Sequence, residues 1–495
     1  MPDRHRRSRT DTDYPHKWRI LVAVGLTLFM GTVDGTIVNV ALPTLTRDLN
    51  TAFATVQWVV LAFLLGLTVF LLGMGRLGDV IGKKPVFAAG LVLFLAGSLA
   101  CGLAPGIYWL IGFRFLQAIG ASMTLALGVA IVTETWPPYE RGRAIGISAG
   151  IISLGIAAGP ALGGLILQAL SWRWIFFVNL PVGLVALFLV ITNLPRLAPA
   201  GKAPPFDLAG AISIGLSMLA FALAMTVGQQ RGFLTAPVVG LLAACVLLLA
   251  LFVWQERRAP YPMIDLSLFQ EPNFSLNLLT GVLTFVAIAG VVLLLPFYLV
   301  LVMGLEQRDV GLLMAVVPMV LGVLGPLSGT LSDRHGTRPI SVLGLMLLVL
   351  GYVALTHLDV NATPSRFVLL LLPVGLGMGT FQSPNNTAIM NAVPRNRLGI
   401  ASGILSMSRT LGQTTGIALL GAFFAARLKA HAGAPVDIAS ASPETIVLAM
   451  HDQFYLVVGL VAAGLTLALW RWWVERRAPR GVLPLPDATA AEDHS

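Results

Sequence analysis

Asp34 and Arg114 narrow the chemistry open to this sequence more than any other residues, because each interrupts a long apolar run, Trp18 to Leu42 and Ile107 to Ile131 respectively. If these runs cross a bilayer, an ionised carboxylate costs at least about 2.5–3.5 kcal/mol there, and such groups are kept for a proton, an ion or a ligand. At 1.5 Å of rise per residue, Asp34 lies about 12 Å and Arg114 about 10 Å from run ends that share one side of the membrane. Gln57, about 8 Å in, and Pro160, about 14 Å in, fall in the same half. A common depth allows an ion pair, and a buried carboxylate beside a guanidinium can act as a titratable group whose two states differ in charge. A fixed pair that never titrates predicts the same proximity.

The remaining interior polar groups divide between the two ends of the chain. Asn39, Gln57, Trp58 and Gln117 in the first part, and Gln382, Asn385, Asn386, Arg409 and Gln413 in the second, are candidates for the wall of a substrate cavity. Amides within a span also glue helices together, so each has that plainer role open to it. Arg409 is harder to explain that way. An interior cation needs a partner, a water-filled cavity or an anionic group on a substrate.

Other chemistries lack their residues. None of the seven histidines falls mid-run or at metal-ligand spacing, so no metal site is expected. Gly146-Ile147-Ser148-Ala149-Gly150 matches a hydrolase elbow, and Gly73 to Gly78 a dinucleotide fingerprint, yet neither follows a strand. There is no Gly-Lys-Ser/Thr phosphate loop, so nucleotide drive has no support and no cofactor is expected. Cys101 and Cys245 both lie in apolar runs and read as small hydrophobes.

The elements that must position these groups are membrane helices. Of 495 residues, 56% are hydrophobic and 11% charged, with a mean hydropathy of +0.84, which excludes a soluble enzyme or a large extramembrane catalytic domain. Fourteen apolar segments long enough to cross the bilayer follow one another, from Trp18 to Leu42 through Met450 to Val474. An even number puts both ends on one side. Leaving aside the interior Arg114 and Arg409, 23 Lys and Arg fall at or beyond the segment ends on that side and 7 on the other, which assigns both termini to the cytoplasm of a multi-pass inner-membrane protein. The net charge of +9 is thereby topological, and no nucleic-acid partner is expected.

An internal repeat organises the helices. Gly75-Arg76-Leu77-Gly78-Asp79-Val80-Ile81-Gly82-Lys83-Lys84-Pro85 recurs as Gly329-Thr330-Leu331-Ser332-Asp333-Arg334-His335-Gly336-Thr337-Arg338-Pro339, a constant offset of 254. The loops follow helices 2 and 10, which gives a tail at 1–17, a six-helix half at 18–200, an inserted pair at 201–258, a second six-helix half at 259–476 and a tail at 477–495. Parallel halves of this kind suit rocking about a midplane site, more than a channel or a membrane sensor. The loop itself reads as a gating latch: Gly75 and Gly82 allow a tight turn, while Asp79, with Arg76 and Lys84, can bond neighbouring helix ends in one conformation only. Glu134 is the expected partner of Arg76 or Lys84, and Asp333 and Arg338 are the second copy's counterparts.

The repeated loop is similar to the signature loop of the major facilitator superfamily, and the resemblance covers nearly the whole chain. Val33-Asp34-Gly35-Thr36-Ile37-Val38-Asn39-Val40-Ala41-Leu42-Pro43 resembles the first-helix signature of its fourteen-helix drug/proton antiporter branch. Arg114-Phe115-Leu116-Gln117-Ala118-Ile119-Gly120 resembles the helix 4 proton-transfer motif. Gly155-Ile156-Ala157-Ala158-Gly159-Pro160-Ala161-Leu162-Gly163-Gly164 resembles the antiporter motif of helix 5. The resemblance implies an all-α membrane protein of major facilitator fold that exports hydrophobic or cationic small molecules, antibiotics included, by proton antiport. It implies Asp34 as the acid, Arg114 as its partner and Gly155, Gly159, Pro160 and Gly163 as a packing and gating element. Protons, a small-molecule substrate and membrane lipids are then the partners of a monomer that is not an enzyme. A lipid or specific-metabolite carrier is the alternative on the same scaffold. One departure is that helices 10 to 13 hold no interior acid, unlike members that export dications.

Overall fold

In a computed structural model, residues 16–137, 139–195, 207–260, 262, 264–394, 397–434 and 436–477 are described. Most of both tails, and the linker cations Arg196, Lys202 and Arg395, lie outside them. Fourteen helices are long and apolar enough to cross a membrane, and there is no strand among the described residues. The first six are α1 (Lys17–Asp48), α2 (Trp58–Ile81), α3 (Lys83–Gly102), α4 (Ile107–Thr135), α5 (Arg141–Ala169) and α6 (Trp174–Asn193). Two more follow, α7 (Leu208–Arg231) and α8 (Ala236–Arg258). The last six are α9 (Pro272–Val302), α10 (Gln307–His335), α11 (Thr337–Leu355), α12 (Pro364–Asn391), α13 (Leu398–Ala432) and α14 (Pro443–Arg477).

Helix packing repeats with the sequence. In the first six helices α1 packs on α5 and α6, and α4 on α2 and α3; in the last six α9 packs on α13 and α14, and α12 on α10 and α11. Each pairing therefore recurs eight helices later. The turns of the repeated loops match as well, since Gly82 and Gly336 both take a positive φ, 105° and 89°, that disfavours any side chain. Each glycine alone joins two antiparallel helices.

The six-helix groups meet along two seams, α2 with α13 and α5 with α10, which are exchanged by the same eight-helix shift. The inserted pair breaks this symmetry: α7 lies along the α2–α13 seam and α8 packs chiefly on α7.

The seams are tight at only one end. On the face opposite the termini, Gly164 of α5 meets Gly311 of α10 so closely that a Cβ on Gly164 would sit 2.8 Å from the Gly311 Cα. Beside it Gln168 Nε2 donates to Glu306 at 3.0 Å, and across the other seam the Phe53 amide donates to Asp437 at 3.0 Å. The connection from α13 to α14, which holds Asp437 in a short 3-10 turn at Ile438–Ser440, thus fastens the two halves. Toward the termini, Gly142, Gly146 and Gly150 of α5 and Gly322 and Gly325 of α10 have open space where a Cβ would be. Among the described residues no side-chain hydrogen bond or ion pair joins the halves at that end. The structure is closed on the face opposite the termini and parted on theirs.

Candidate functional site

The buried charges form one cluster inside the first half. Arg114 Nη1 of α4 donates to Asp34 Oδ2 of α1 at 2.5 Å and to Gln117 Oε1 at 2.7 Å, and its Nε donates to the Val59 carbonyl at 3.1 Å. Asp34 Oδ1 accepts from Gln117 Nε2 and from Asn179 Nδ2, both at 2.9 Å. Ser98 of α3 supports the two amides, accepting from Gln117 at 2.8 Å. The guanidinium also stacks over Phe63, 4.2 Å from its centroid. Asp34 is 0% and Arg114 1% exposed, so among the described residues the carboxylate is balanced by this set of donors and not by water.

Asn179 and Ser98 were not singled out from the sequence. Both had a signal of the same kind: Asn179 is the one polar side chain between Trp174 and Ile191, and Ser98 the one hydroxyl, amide or charged side chain between Pro85 and Ala104.

On its other face α1 is pressed against α5. Gly155, Gly159 and Gly163 recur at four-residue spacing and sit on Thr32, Thr36 and Ile37, where a Cβ at Gly159 would lie 3.1 Å from the Val33 carbonyl oxygen. Small residues let the two backbones approach, which supplies packing that hydrophobicity cannot supply in lipid. The Thr32 and Thr36 hydroxyls bond back to carbonyls of their own helix, so they face α5 without an unmet donor.

Between the halves lies a cavity of about 210 Å³, its wall drawn from α1, α2, α5, α9, α10, α12 and α13. It is apolar apart from Thr36, Asn39, Gln382, Arg409 and Gln413, and it includes Pro160 and Phe285. No residue of α7 or α8 reaches it.

Similarity to known proteins fits this architecture. The profile of the Major Facilitator Superfamily matches residues 24–417. The chain belongs to the Major Facilitator Superfamily. It is 32% identical to the riboflavin transporter RibZ of Clostridioides difficile, over 92% of this chain and 97% of that protein. It is 34% identical to the multidrug resistance protein Stp of Mycobacterium tuberculosis, over 92% and 91%. A bacterial homologue of the human lysosomal transporter Spinster, solved inward-facing and unoccupied, superposes with a TM-score of 0.68 at 17% identity, covering 95% of this chain and 99% of that one. The protein is thus a multi-pass membrane transporter of this superfamily.

Within this transporter the expected cavity residues separate into two groups. Asn39, Gln382, Arg409 and Gln413 line the cavity, and Gln57, Trp58, Gln117, Asn385 and Asn386 do not. Gln57 is buried against Gly421 at the α2–α13 seam, and Trp58 Nε1 donates to Thr226 of the inserted pair at 3.0 Å. Gln117 belongs to the Asp34 cluster, and Asn385 faces Thr280 of α9. Asn386 lies one turn nearer the termini than Gln382. Depth along a span places a residue at a level, while its azimuth decides what it faces; Gln57, Trp58, Gln117 and Asn385 are turned toward other helices, whereas Asn386 shares the side of Gln382 and is set apart by depth.

The loops also differ from expectation. Lys83, and not Lys84, holds the acids: its Nζ is 3.2 Å from Asp79 Oδ1 and 2.6 Å from Glu134 Oε1. Lys84, rotated about 100° around α3, instead donates to the Ile191 and Leu194 carbonyls at the end of α6, 2.9 and 2.5 Å away. Arg76 has no ion pair among the described residues. The network was expected only when the terminal side is closed, yet it is formed here with that side parted, because Asp79, Lys83 and Glu134 all belong to one half. In the second loop Thr337 replaces Lys83, Asp333 is exposed without a polar partner among the described residues, and Arg338 donates to Asn273 at 3.0 Å.

Proposed function

We propose that this transporter exports lipophilic small molecules in exchange for protons by alternating access, with Asp34 as the proton carrier. The observation that supports it is the position of α1, which holds Asp34 on one face and Thr36 and Asn39 on the cavity wall. When Asp34 is ionised, Arg114 is paired and the cluster is balanced. A proton on Asp34 removes the negative charge and leaves Arg114 without its counterion, which favours a different placing of α1 against α4. Substrate in the cavity acts on the same helix, so proton and substrate can each bias the equilibrium that the other needs.

The positive-inside count assigns the termini to the cytoplasm of the inner membrane, which makes the present form inward-facing. Both halves come from one chain, so a monomer suffices. The multidrug relative supports a broad substrate range, whereas the riboflavin transporter supports a second reading, a carrier dedicated to one metabolite. Proteoliposomes holding the full chain and a panel of fluorescent dyes test the first. An imposed pH gradient should drive dye movement with countermovement of protons, and a protonophore should stop it. Dye movement indifferent to the gradient overturns proton exchange, and movement of a single compound from the panel favours the second reading.

A further inference from the structure

We infer that the cavity selects lipophilic compounds bearing an ionised acidic group, a carboxylate, phenolate or sulfonate, and that Arg409 is their anchor. The inference rests on the transport reading above and adds the charge of the substrate to it.

Arg409 stands on the cavity wall and its Nε has no hydrogen-bond partner. Its guanidinium lies over Phe285, 5.2 Å from the ring centroid, a contact that partly offsets desolvation while leaving the N–H edges available. Arg114 shows the contrast, since both its charge and its donors are occupied by Asp34, Gln117 and Val59. No aspartate or glutamate is on the cavity wall among the described residues. Asp34, which belongs to the adjoining helix, is turned into the first half and cannot serve.

A guanidinium fork matches the two oxygens of a carboxylate, and a charge-assisted pair in an apolar surround is stronger than one in water. Gln413, one turn along α13 from Arg409, and Gln382 and Asn39 across the cavity add neutral polar contacts. The remaining wall, with Phe285, Ile288, Val292 and Met378, receives an apolar body. A cationic compound would meet a like charge and no counterion, so the same residue both attracts one class and rejects the other.

Two dyes on one xanthene skeleton test this, fluorescein at pH 8 as the anion and rhodamine 6G as the cation. Binding to the purified full chain in detergent is read by fluorescence anisotropy, with no gradient present. Fluorescein should bind at least about tenfold more tightly than rhodamine 6G, and Arg409→Gln should weaken fluorescein by about tenfold or more while leaving rhodamine 6G unchanged or tighter. Arg409→Lys, which keeps the charge but loses the fork, should retain part of the preference. Equal or tighter binding of rhodamine 6G to the wild type, binding of neither dye, or unaltered fluorescein affinity in Arg409→Gln overturns the inference. The wild-type ratio decides even if Arg409→Gln does not fold. Because no proton gradient enters the measurement, a lost preference with gradient-driven export intact refutes the anchor alone, and the reverse result refutes export alone.

Discussion

Asp34 and Thr36 leave the same helix on opposite faces: Asp34 accepts Arg114 within the first half, and Thr36 lines the cavity between the halves. Two residues along an α-helix turn the side chain by about 200°. The charged cluster and the cavity therefore lie on opposite faces of one helix. Any coupling between them must pass through the position of α1. The Gly155, Gly159 and Gly163 contacts continue that path into α5, so a shift of α1 is felt at the α5–α10 seam.

Asp34→Asn should reduce gradient-driven dye transport by more than about tenfold while changing dye affinity by less than about threefold. The amide oxygen can still accept from Arg114, but the buried guanidinium loses its counterion, so the loss of stability should be about 3–5 kcal/mol. Transport in proteoliposomes and thermal unfolding check the two parts. Wild-type transport with an intact gradient response in the variant would remove Asp34 from the coupling.

Asn179→Leu removes one of the donors to Asp34 Oδ1 and leaves Gln117 to hold that oxygen. Stability should fall by about 1–3 kcal/mol. Gradient-driven dye transport should fall with it, while dye affinity changes by less than about threefold. Asn179→Asp should be the more damaging, since it places a second carboxylate beside the first inside a buried cluster. An Asn179→Leu variant with wild-type transport would make Asn179 a packing residue only.

Much of this arrangement is legible in the sequence because lipid imposes simple rules. Apolar length gave the crossings, the 254-residue repeat gave the paired loops, and two charges at one depth gave the Asp34–Arg114 contact. What escaped is azimuth. Gln57 and Gln382 looked equivalent as interior amides, yet one is packed at a seam and the other lines the cavity. Lys83 and Lys84 are neighbours in sequence, and the 100° between them sends one to Glu134 and the other to the end of α6. Helices that are apolar on every side give a weak periodic signal for facing, so a single chain's pattern cannot assign it.

The crossing at Gly164 and Gly311 should govern closure opposite the termini. A side chain at Gly164 would have to occupy the Gly311 backbone, so Gly164→Leu must part α5 from α10 there. Spin labels at Ser171 and Leu305 should report longer distances in Gly164→Leu than in the wild type, with the population shifted toward opening on that face. Unchanged distances would show that the close contact of these glycines does not hold that end shut.

The two repeated loops differ at one decisive position, Lys83 against Thr337. Lys83 joins Asp79 and Glu134, but these acids are 38% and 43% exposed, and ion pairs so open to solvent are worth about 0–1 kcal/mol each. All three residues ride on one half, so the network should survive rocking and should not by itself favour either state. Lys83→Met should therefore lower the unfolding temperature slightly and leave the separation of the loops unchanged. Arg76 is different: its helix, α2, forms one of the seams, it has no ion pair among the described residues, and the expectation is that closing the terminal side brings it a partner on the other half. Arg76→Ala should shift the distribution between labels at Val80 and Arg334 toward longer distances and slow turnover, with little effect on unfolding. Asp333→Ala, which removes an exposed group without a polar partner here, should do neither. A distance shift in Lys83→Met would show that the first network acts between the halves after all, and no shift in Arg76→Ala would take the loop out of gating.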